Sequence, residues 1–329
     1  MHKLQDVFFI ESPLQLSSAK KAREHFNIKN AVLFINIKNK GDTNHSQILK
    51  GLDNDDGWPE INFIYRKNNI LENLQFLLFT FRLLINYKGN IKRFFYGDYR
   101  SPNYAIFQAI LKPKEAILLD DGAVTIAVQK NYIRKNKDIL TVEGLRLKLF
   151  SFILNKPRVP NLYSFFDLER YLLPEQTNYF EKKKVCQIKT FESIYFLGSK
   201  LSESGYMKEG DEIKVLTSIY KSYPFLKLYY VPHRDESSCK LEKIKGLGYE
   251  LLVFDTPIER FYEKSLEMPK VVMSYYSTAL YTCYLNFGHQ VELIAVDIRK
   301  YLNNKIPINN VNTVYEYYKD LGMKIDFVE

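Results

Sequence analysis

Cysteine is scarce in this sequence. Among 329 residues there are three cysteines, Cys186, Cys239 and Cys283. They are far apart and odd in number, and none forms a Cys-x-x-Cys pair or stands at metal-ligand spacing from a histidine. This pattern argues against a disulfide framework and against structural zinc, and it favours a reducing compartment. We therefore expect a cytoplasmic protein that holds no metal.

Long apolar runs are also missing. The most apolar stretch, Leu74 to Ile85, contains Arg82 and is shorter than the roughly 20 residues that cross a bilayer. Residues Met1 to Gln5 lack the basic and apolar regions of a secretory signal. We expect a soluble protein, or at most one peripheral to a membrane.

Two common nucleotide-binding motifs do not occur. The sequence contains no G-x-G-x-x-G and no Walker motif. Both motifs use glycines to bring backbone N–H groups close to phosphates. Their absence disfavours a dinucleotide-dependent enzyme and a P-loop ATPase.

The composition that is present is globular and basic. Hydrophobic residues make up 46% and charged residues 26%, and the net charge is +9. A chain of this length accommodates two domains. A basic balance suits anionic partners such as nucleic acid, lipid headgroups or a charged glycolipid. The charge is spread in short groups, which equally fit solvated loops.

Short apolar runs alternate with amphipathic segments in both halves of the chain. This alternation predicts an α/β protein with parallel sheets that are covered on both faces. Two such halves indicate two Rossmann-like, doubly wound domains facing a cleft, as in the GT-B architecture. Predicted strands lie at 7–10, 32–35, 61–65, 94–96 and 117–119, then at 194–197, 226–231, 251–254, 271–273 and 292–296.

A polar segment separates the two halves. It lies between roughly Leu173 and Phe191 and has the composition of a linker. We predict an N-terminal domain over residues 1–180 and a C-terminal domain over 181–329.

Two adjacent acids follow the fifth predicted strand, in the sequence Asp120-Asp121-Gly122. Ligands of doubly wound sheets bind beyond the carboxyl ends of the strands. One carboxylate can orient a partner while the other, with a raised pKa, accepts a proton. An ordinary Asp-Gly turn is the alternative interpretation.

The second half carries four further candidate motifs at the ends of predicted strands. His233 and Arg234 follow one strand and can contact a phosphate. Ser277 and Thr278 open a predicted helix whose N-terminus can bind an anion, although a plain N-cap explains them too. The remaining candidates are Gly198 with Ser199, which would let a nucleotide approach the backbone, and Glu259, which suits either ribose hydroxyls or the first turn of a helix.

Taken together, these motifs resemble the bacterial sialyltransferases of the lipooligosaccharide and capsule groups. The order is an acidic pair with glycine, then a histidine motif, then a Ser/Thr pair. The segments Glu11-Ser12-Pro13-Leu14-Gln15 and Phe196 to Glu203 are most similar to glycosyltransferase family 52. The family's histidine motif is His-Pro, whereas Arg234 follows His233 here.

The resemblance implies an inverting, metal-independent transfer of sialic acid from a CMP-activated donor, without a cofactor, to a surface glycan or glycolipid. It implies that Asp121 is the base, that Asp120 supports it, and that His233 assists departure of CMP. By the same resemblance Ser277 and Thr278 bind the phosphate. Arg234 departs from the family's motif, and we expect it to hold either the phosphate or the carboxylate of the sugar.

Two rival functions stay open. One is a transferase of the same fold that uses another nucleotide-sugar, such as a UDP-hexose. The other is a basic module that binds a membrane or nucleic acid without catalysis. The module predicts exposed aromatic residues among clustered Lys and Arg, whereas most of the 25 tyrosines and 23 phenylalanines fall in core patterns. We therefore expect no nucleic-acid partner.

The segment Leu145 to Leu154 is both basic and apolar. It fits a face that meets the inner membrane or a lipid-linked acceptor. It also fits a core helix or a helix that forms a homodimer.

Overall fold

The structure is a computed structural model. It describes residues 5–37, 40–53, 55–65, 71–87, 89–135, 159–180, 185, 187–254, 258, 261–262 and 265–327. The chain divides into two compact units, which we call unit 1 (Met1–Glu181) and unit 2 (Lys182–Glu329).

Unit 1 contains a six-stranded sheet in which every pair of neighbours is parallel. The spatial order of the strands is β3-β2-β1-β4-β5-β6. Their bounds are β1 Gln5–Ile10, β2 Ala31–Ile37, β3 Glu60–Tyr65, β4 Ile91–Tyr96, β5 Glu115–Leu119 and β6 Asn161–Tyr163. The helices are α1 Pro13–His25, α2 Thr43–Leu52, α3 Leu71–Tyr87, α4 Pro102–Leu111 and α5 Val124–Val128.

The central strands of unit 1 are apolar on both faces because helices cover both sides of the sheet. Val7, Phe8 and Ile10 of β1 are fully buried. The first helix begins where the sequence supplies a start signal: Ser12 is the N-cap and Pro13 occupies the first turn. This start places α1 directly beyond the end of β1.

Unit 2 repeats the arrangement with a second parallel six-stranded sheet, in the order β12-β11-β10-β7-β8-β9. The strands are β7 Lys189–Leu197, β8 Lys227–Val231, β9 Glu250–Leu251, β10 Glu267–Ser274, β11 Glu292–Asp297 and β12 Lys324–Phe327. The helices are α6 Glu209–Ser222, α7 Ser238–Gly246, α8 Thr278–Phe287 and α9 Ile308–Asp320.

The α/β prediction of two doubly wound halves is confirmed, and so are the buried central strands. The edges of the sheets differ from the prediction. β6 and β12 were not predicted, and β9 ends at Leu251 although the apolar run continues to Phe254. A strand of two or three residues at a sheet edge buries too little apolar surface to leave a clear pattern. Among the described residues, no helix has the length and apolar character needed to cross a bilayer.

Candidate functional site

In unit 1, polar side chains collect at the carboxyl ends of β1, β4 and β5. The order of strands reverses between β1 and β4, which is where open α/β sheets form a crevice for ligands. Glu11 follows β1, Gly97 and Asp98 follow β4, and Asp120 and Asp121 follow β5. The sheet therefore brings residues from three separate segments to one edge.

Asp121 is one of the partly exposed carboxyl groups at this edge. Its side chain is 31% exposed, and one oxygen lies 4.0 Å from an Arg100 nitrogen. The other oxygen, Oδ1, accepts a hydrogen bond from Gln15 Nε2 at 2.8 Å. Burial raises the pKa of Asp121 to about 6, against the lowering effects of Gln15 and Arg100. A carboxyl group with this pKa is ionised at neutral pH and is a stronger base than an ordinary aspartate.

Gln15 is fixed so that its amide nitrogen faces Asp121. Its Oε1 accepts a hydrogen bond from the Glu11 backbone N–H at 2.7 Å. The backbone N–H of Gln15 donates a hydrogen bond to Ser12 Oγ at 3.2 Å. Gly97 leaves room for the side chain, since a Cβ there would lie 2.0 Å from Gln15 Cδ. The conformation of Gln15 thus sets one of the two contacts of the Asp121 carboxylate.

Asp120 has a different environment. It is 1% exposed, and its oxygens accept hydrogen bonds from Ser164 Oγ at 2.6 Å and from the Phe165 N–H at 2.8 Å. Burial raises its pKa to about 7, although these hydrogen bonds lower it. Both oxygens are engaged in holding the segment after β6 against β5. Asp120 therefore joins two elements of the fold.

Gly122 carries the backbone through the turn after the two acids. Its φ is +75°, in the region that favours glycine. The Asp121 N–H donates to Thr125 Oγ1 at 3.0 Å, which ties the turn to α5. This pair of features holds the Asp121 side chain at a fixed place beside the end of β5.

In unit 2, His233 lies in the loop that follows β8, with its side chain 33% exposed. Its Nδ1 accepts a hydrogen bond from the Asp235 N–H at 3.2 Å. Burial lowers the pKa of His233 to about 4, despite the nearby Asp235 carboxylate. The imidazole is therefore neutral at neutral pH, and its proton is on Nε2 because Nδ1 is an acceptor.

Ser277 is the N-cap of α8. Its Oγ accepts a hydrogen bond from the Ala279 N–H at 3.2 Å, and its carbonyl accepts one from Tyr318 Oη at 2.7 Å. Thr278 is the first residue of the helix. The strand β10 that leads to this helix neighbours β7, and β8 lies on the other side of β7. The loops with Ser277, Gly198 and His233 therefore leave the same edge of one sheet.

Gly198 and Ser199 follow β7 and lie over a buried charged group. A Cβ on Gly198 would lie 2.4 Å from Glu236 Oε2 and 2.6 Å from Tyr230 Oη. Side chains of the protein thus need the space that this glycine leaves. The carbonyl of Ser199 accepts a hydrogen bond from Lys240 Nζ at 3.2 Å.

Two further predicted features need separate mention. Arg234 is 38% exposed and its Nε lies 3.7 Å from Asp235 Oδ2, so its charge is partly balanced within the loop. Glu259 and the segment 145–154 lie outside the described residues.

The structure adds residues that the sequence analysis did not single out as site residues. Gln15 and Arg100 contact or approach Asp121, and Glu236 and Lys240 lie beneath the loop with His233. Gln15 belongs to a segment that carried the family resemblance, and that segment was the available signal. Lys240 gave none, because a lysine in a helix ordinarily indicates a solvated face.

Comparison with known sequences gives no relatives. The chain matches no family model, and no curated protein sequence matches it.

Comparison of the folds gives clear neighbours among solved structures. Acinetobacter baumannii MurG aligns with 99% of this chain and 86% of its own, at a TM-score of 0.53 and 10% identity. The GT-B domain of a Photobacterium damselae sialyltransferase aligns with 98% of this chain and 99% of its own, at a TM-score of 0.51 and 10% identity. The chain has the GT-B fold.

A third neighbour is Phytolacca americana UGT2 in complex with UDP-2-fluoro-glucose and pterostilbene. It covers 99% of this chain and 85% of its own, with a TM-score of 0.52 and 10% identity. One of these neighbours is thus a sialyltransferase domain, and another is complexed with UDP-2-fluoro-glucose. At this level of identity the likeness concerns the fold, so the choice of substrate depends on the side chains of this chain.

Proposed function

We propose that this GT-B protein is an inverting glycosyltransferase that moves sialic acid, or a related nonulosonic acid, from a CMP-activated donor to a surface glycan. One observation carries the proposal: within a GT-B fold, Asp121 is a partly exposed carboxyl group with a pKa of about 6 at the carboxyl end of β5. The proposal assigns the acceptor to unit 1 and the donor to unit 2.

Asp121 is the proposed base, and Asp120 supports it. A base must reach the hydroxyl proton that it removes. The Asp121 side chain is 31% exposed and lies beside Arg100, whereas both oxygens of Asp120 are occupied by Ser164 and Phe165. Gln15 and Arg100 favour the ionised form of Asp121, which is the form that accepts a proton.

His233 is the proposed contact for the donor phosphate. As a neutral imidazole with its proton on Nε2, it donates a hydrogen bond to a phosphate oxygen without first being charged. The first turn of α8 supplies the Ser277 and Thr278 hydroxyl groups and the positive end of a helix dipole. Arg234 adds a cation in the same loop as His233, and Gly198 and Ser199 border the site.

The reaction proceeds by a single displacement. The bond between the anomeric carbon and the CMP phosphate breaks as the acceptor oxygen attacks from the opposite face. The acceptor proton passes to Asp121, and the charge that develops on the phosphate is stabilised by His233 and the first turn of α8. One displacement inverts the anomeric configuration.

The choice of CMP derives from the resemblance of the motifs to glycosyltransferase family 52. A UDP-hexose is the second candidate, because a similar fold occurs in a protein complexed with UDP-2-fluoro-glucose. Titration calorimetry with CMP and with UDP separates the two. We expect CMP to bind and UDP to give no heat of binding; the reverse result would replace the proposed donor with a uridine-linked sugar.

The acceptor is proposed to be a lipooligosaccharide, an O-antigen or a capsular glycan, held at the inner face of the cytoplasmic membrane. The net charge of +9 supports a peripheral approach to anionic lipid, where each basic side chain contributes roughly 1 kcal/mol and salt screens the attraction. Co-sedimentation with anionic liposomes at low and at high salt tests this location. Absence of binding at low salt would leave the protein free in the cytoplasm.

A further inference from the structure

A fully buried lysine lies beneath the loops of unit 2. The side chain of Lys240 is 0% exposed, and its Nζ lies 2.8 Å from Glu212 and 2.8 Å from Glu236, whose side chains are also 0% exposed. Glu203 is 3.3 Å away. Transfer of charges from water to the protein interior is unfavourable unless they are paired. The ammonium group of Lys240 is therefore stable in this buried position only because the three carboxyl groups pair with it.

The ammonium group of Lys240 connects two loops. On the side of the loop after β7, Nζ donates to the Ser199 carbonyl at 3.2 Å and to Ser202 Oγ at 3.3 Å. On the side of the loop after β8, it contacts Glu236. Glu203 adds a second connection, since its Oε1 accepts the Ser237 N–H at 3.0 Å. The two loops that border the proposed donor phosphate thus share one buried charge.

Glu236 hydrogen-bonds the backbone of His233 and so links the buried lysine to the histidine loop. Its Oε2 accepts the His233 backbone N–H at 2.5 Å, and its Oε1 accepts a hydrogen bond from Tyr230 Oη at 2.6 Å. The Glu236 N–H donates to the His233 carbonyl at 3.0 Å. These bonds close a tight turn over residues 233–236. The same turn presents the Asp235 N–H to His233 Nδ1 and so fixes which ring nitrogen carries the proton.

Gly198 makes room for this carboxylate. The position that a Cβ would take on Gly198 lies within 2.4 Å of Glu236 Oε2. The end of β7 and the Glu236 side chain are therefore fitted to each other. A substitution of Gly198 or of Glu236 is therefore expected to displace the loop that contains His233.

We propose that Glu236 and Lys240 are positioning residues for His233. Lys240 holds the Glu236 carboxylate, and Glu236 holds the backbone turn that keeps the His233 proton on Nε2, where it can meet the donor phosphate. This role rests on the proposed function of His233, but the state of the imidazole can be measured without any donor.

The test uses two variants and two matched controls. Glu236→Gln keeps the shape of the side chain, removes its charge and leaves Lys240 beside Glu212 and Glu203. Lys240→Met removes the ammonium group. The controls are Glu209→Gln and Lys243→Met, which break an exposed ion pair at 2.5 Å where Lys243 belongs to the same helix as Lys240. Circular dichroism and thermal melting establish that each variant folds.

The main readout is the nitrogen NMR spectrum of the His233 imidazole, assigned with a His233→Gln variant. In the wild-type protein we expect one neutral tautomer with the proton on Nε2. In Glu236→Gln we expect a mixture of tautomers and a loss of about tenfold in CMP affinity, as for one hydrogen bond to a charged group. In the two control variants we expect the tautomer of His233 and the affinity for CMP to be the same as in the wild type. If Lys240→Met does not fold, the imidazole spectrum and the CMP affinity of Glu236→Gln still test the proposal.

One result would overturn the inference: a folded Glu236→Gln protein in which the imidazole spectrum and the His233 amide resonance are the same as in the wild type. The role of the cluster would then be structural only. A changed imidazole in a protein whose wild type does not bind CMP would instead refute the proposed donor and leave the positioning role in place.

Discussion

At the scale of single residues, the two adjacent aspartates differ in what surrounds them. The sequence predicts that a pair of acids after a buried strand can divide their roles, because the strand end locates them. It does not reveal which of the two is held inside, since the partners Ser164 and Gln15 are distant along the chain. The division becomes visible only when β6 and α1 are placed beside β5.

The proposed role of Asp121 as the base predicts a pH dependence for turnover. Because the base must be ionised and its pKa is about 6, turnover falls about tenfold for each pH unit below 6 and is level above it. Gln15→Leu removes a hydrogen bond that lowers this pKa, so the descending limb moves to higher pH. Rate profiles between pH 4.5 and 8 measure the shift.

The control for that profile is Gln129→Leu, which removes a buried amide that hydrogen-bonds Tyr171 and Gln176. The fall in turnover at low pH should occur at the same pH in this variant as in the wild type. A limb that stays in place in Gln15→Leu would show that another group limits the rate.

The environment of Asp120 predicts a pH dependence for stability. Its pKa is about 7 in the folded protein and close to 4 in an unfolded chain, so the folded state binds more protons between these values. Stability contributed by this group is then present below pH 4 and is lost as pH rises to 7. The loss is on the order of 4 kcal/mol.

Urea denaturation of Asp120→Asn tests this statement. The variant cannot titrate at this position, so its free energy of unfolding should fall less between pH 4.5 and pH 7.5 than that of the wild type. Equal slopes for the two proteins would mean that Asp120 has an ordinary pKa.

At the scale of elements, the central strands were predictable and the edges were not. The buried segments of β1, β4, β7 and β10 are mostly apolar because helices cover both faces of the sheets, and these segments leave apolar runs in the sequence. β9 has two residues, Glu250 and Leu251, and its pairing depends on β8. The same limit applies to the cluster of Lys240, because its members come from helices α6 and α7 and from the loops after β7 and β8, which only the fold brings together.

The junction between β7 and its loop predicts a contrast between two glycines. Gly198→Ala places a methyl group against Glu236 and Tyr230 and should lower the free energy of unfolding by about 1–3 kcal/mol. Gly246→Ala, at the end of α7, meets no atom within 4 Å and should be neutral or stabilise by up to about 1 kcal/mol. Chemical denaturation of both variants measures the difference. If Gly198→Ala were as stable as Gly246→Ala, the close approach of Glu236 to this backbone would be wrong.

At the scale of the whole molecule, two parallel sheets supply two separate sets of side chains. Unit 1 carries Asp121 with Gln15 and Arg100, and unit 2 carries His233 with the first turn of α8. The repeated alternation of strands and helices predicted this organisation, because each half must cover its own sheet. The fold does not identify the donor, since the fold neighbours include both a sialyltransferase domain and a protein complexed with UDP-2-fluoro-glucose.

The most direct test of the central claim is a donor screen that measures nucleotide release in the presence of candidate surface glycans. The proposed function predicts that CMP-activated nonulosonic acids release CMP only when an acceptor is present. It also predicts that Asp121→Asn lowers this rate by about 10²–10⁴-fold without loss of CMP affinity. Release from a UDP-hexose in place of the CMP-sugar, or full activity in Asp121→Asn, would contradict the account.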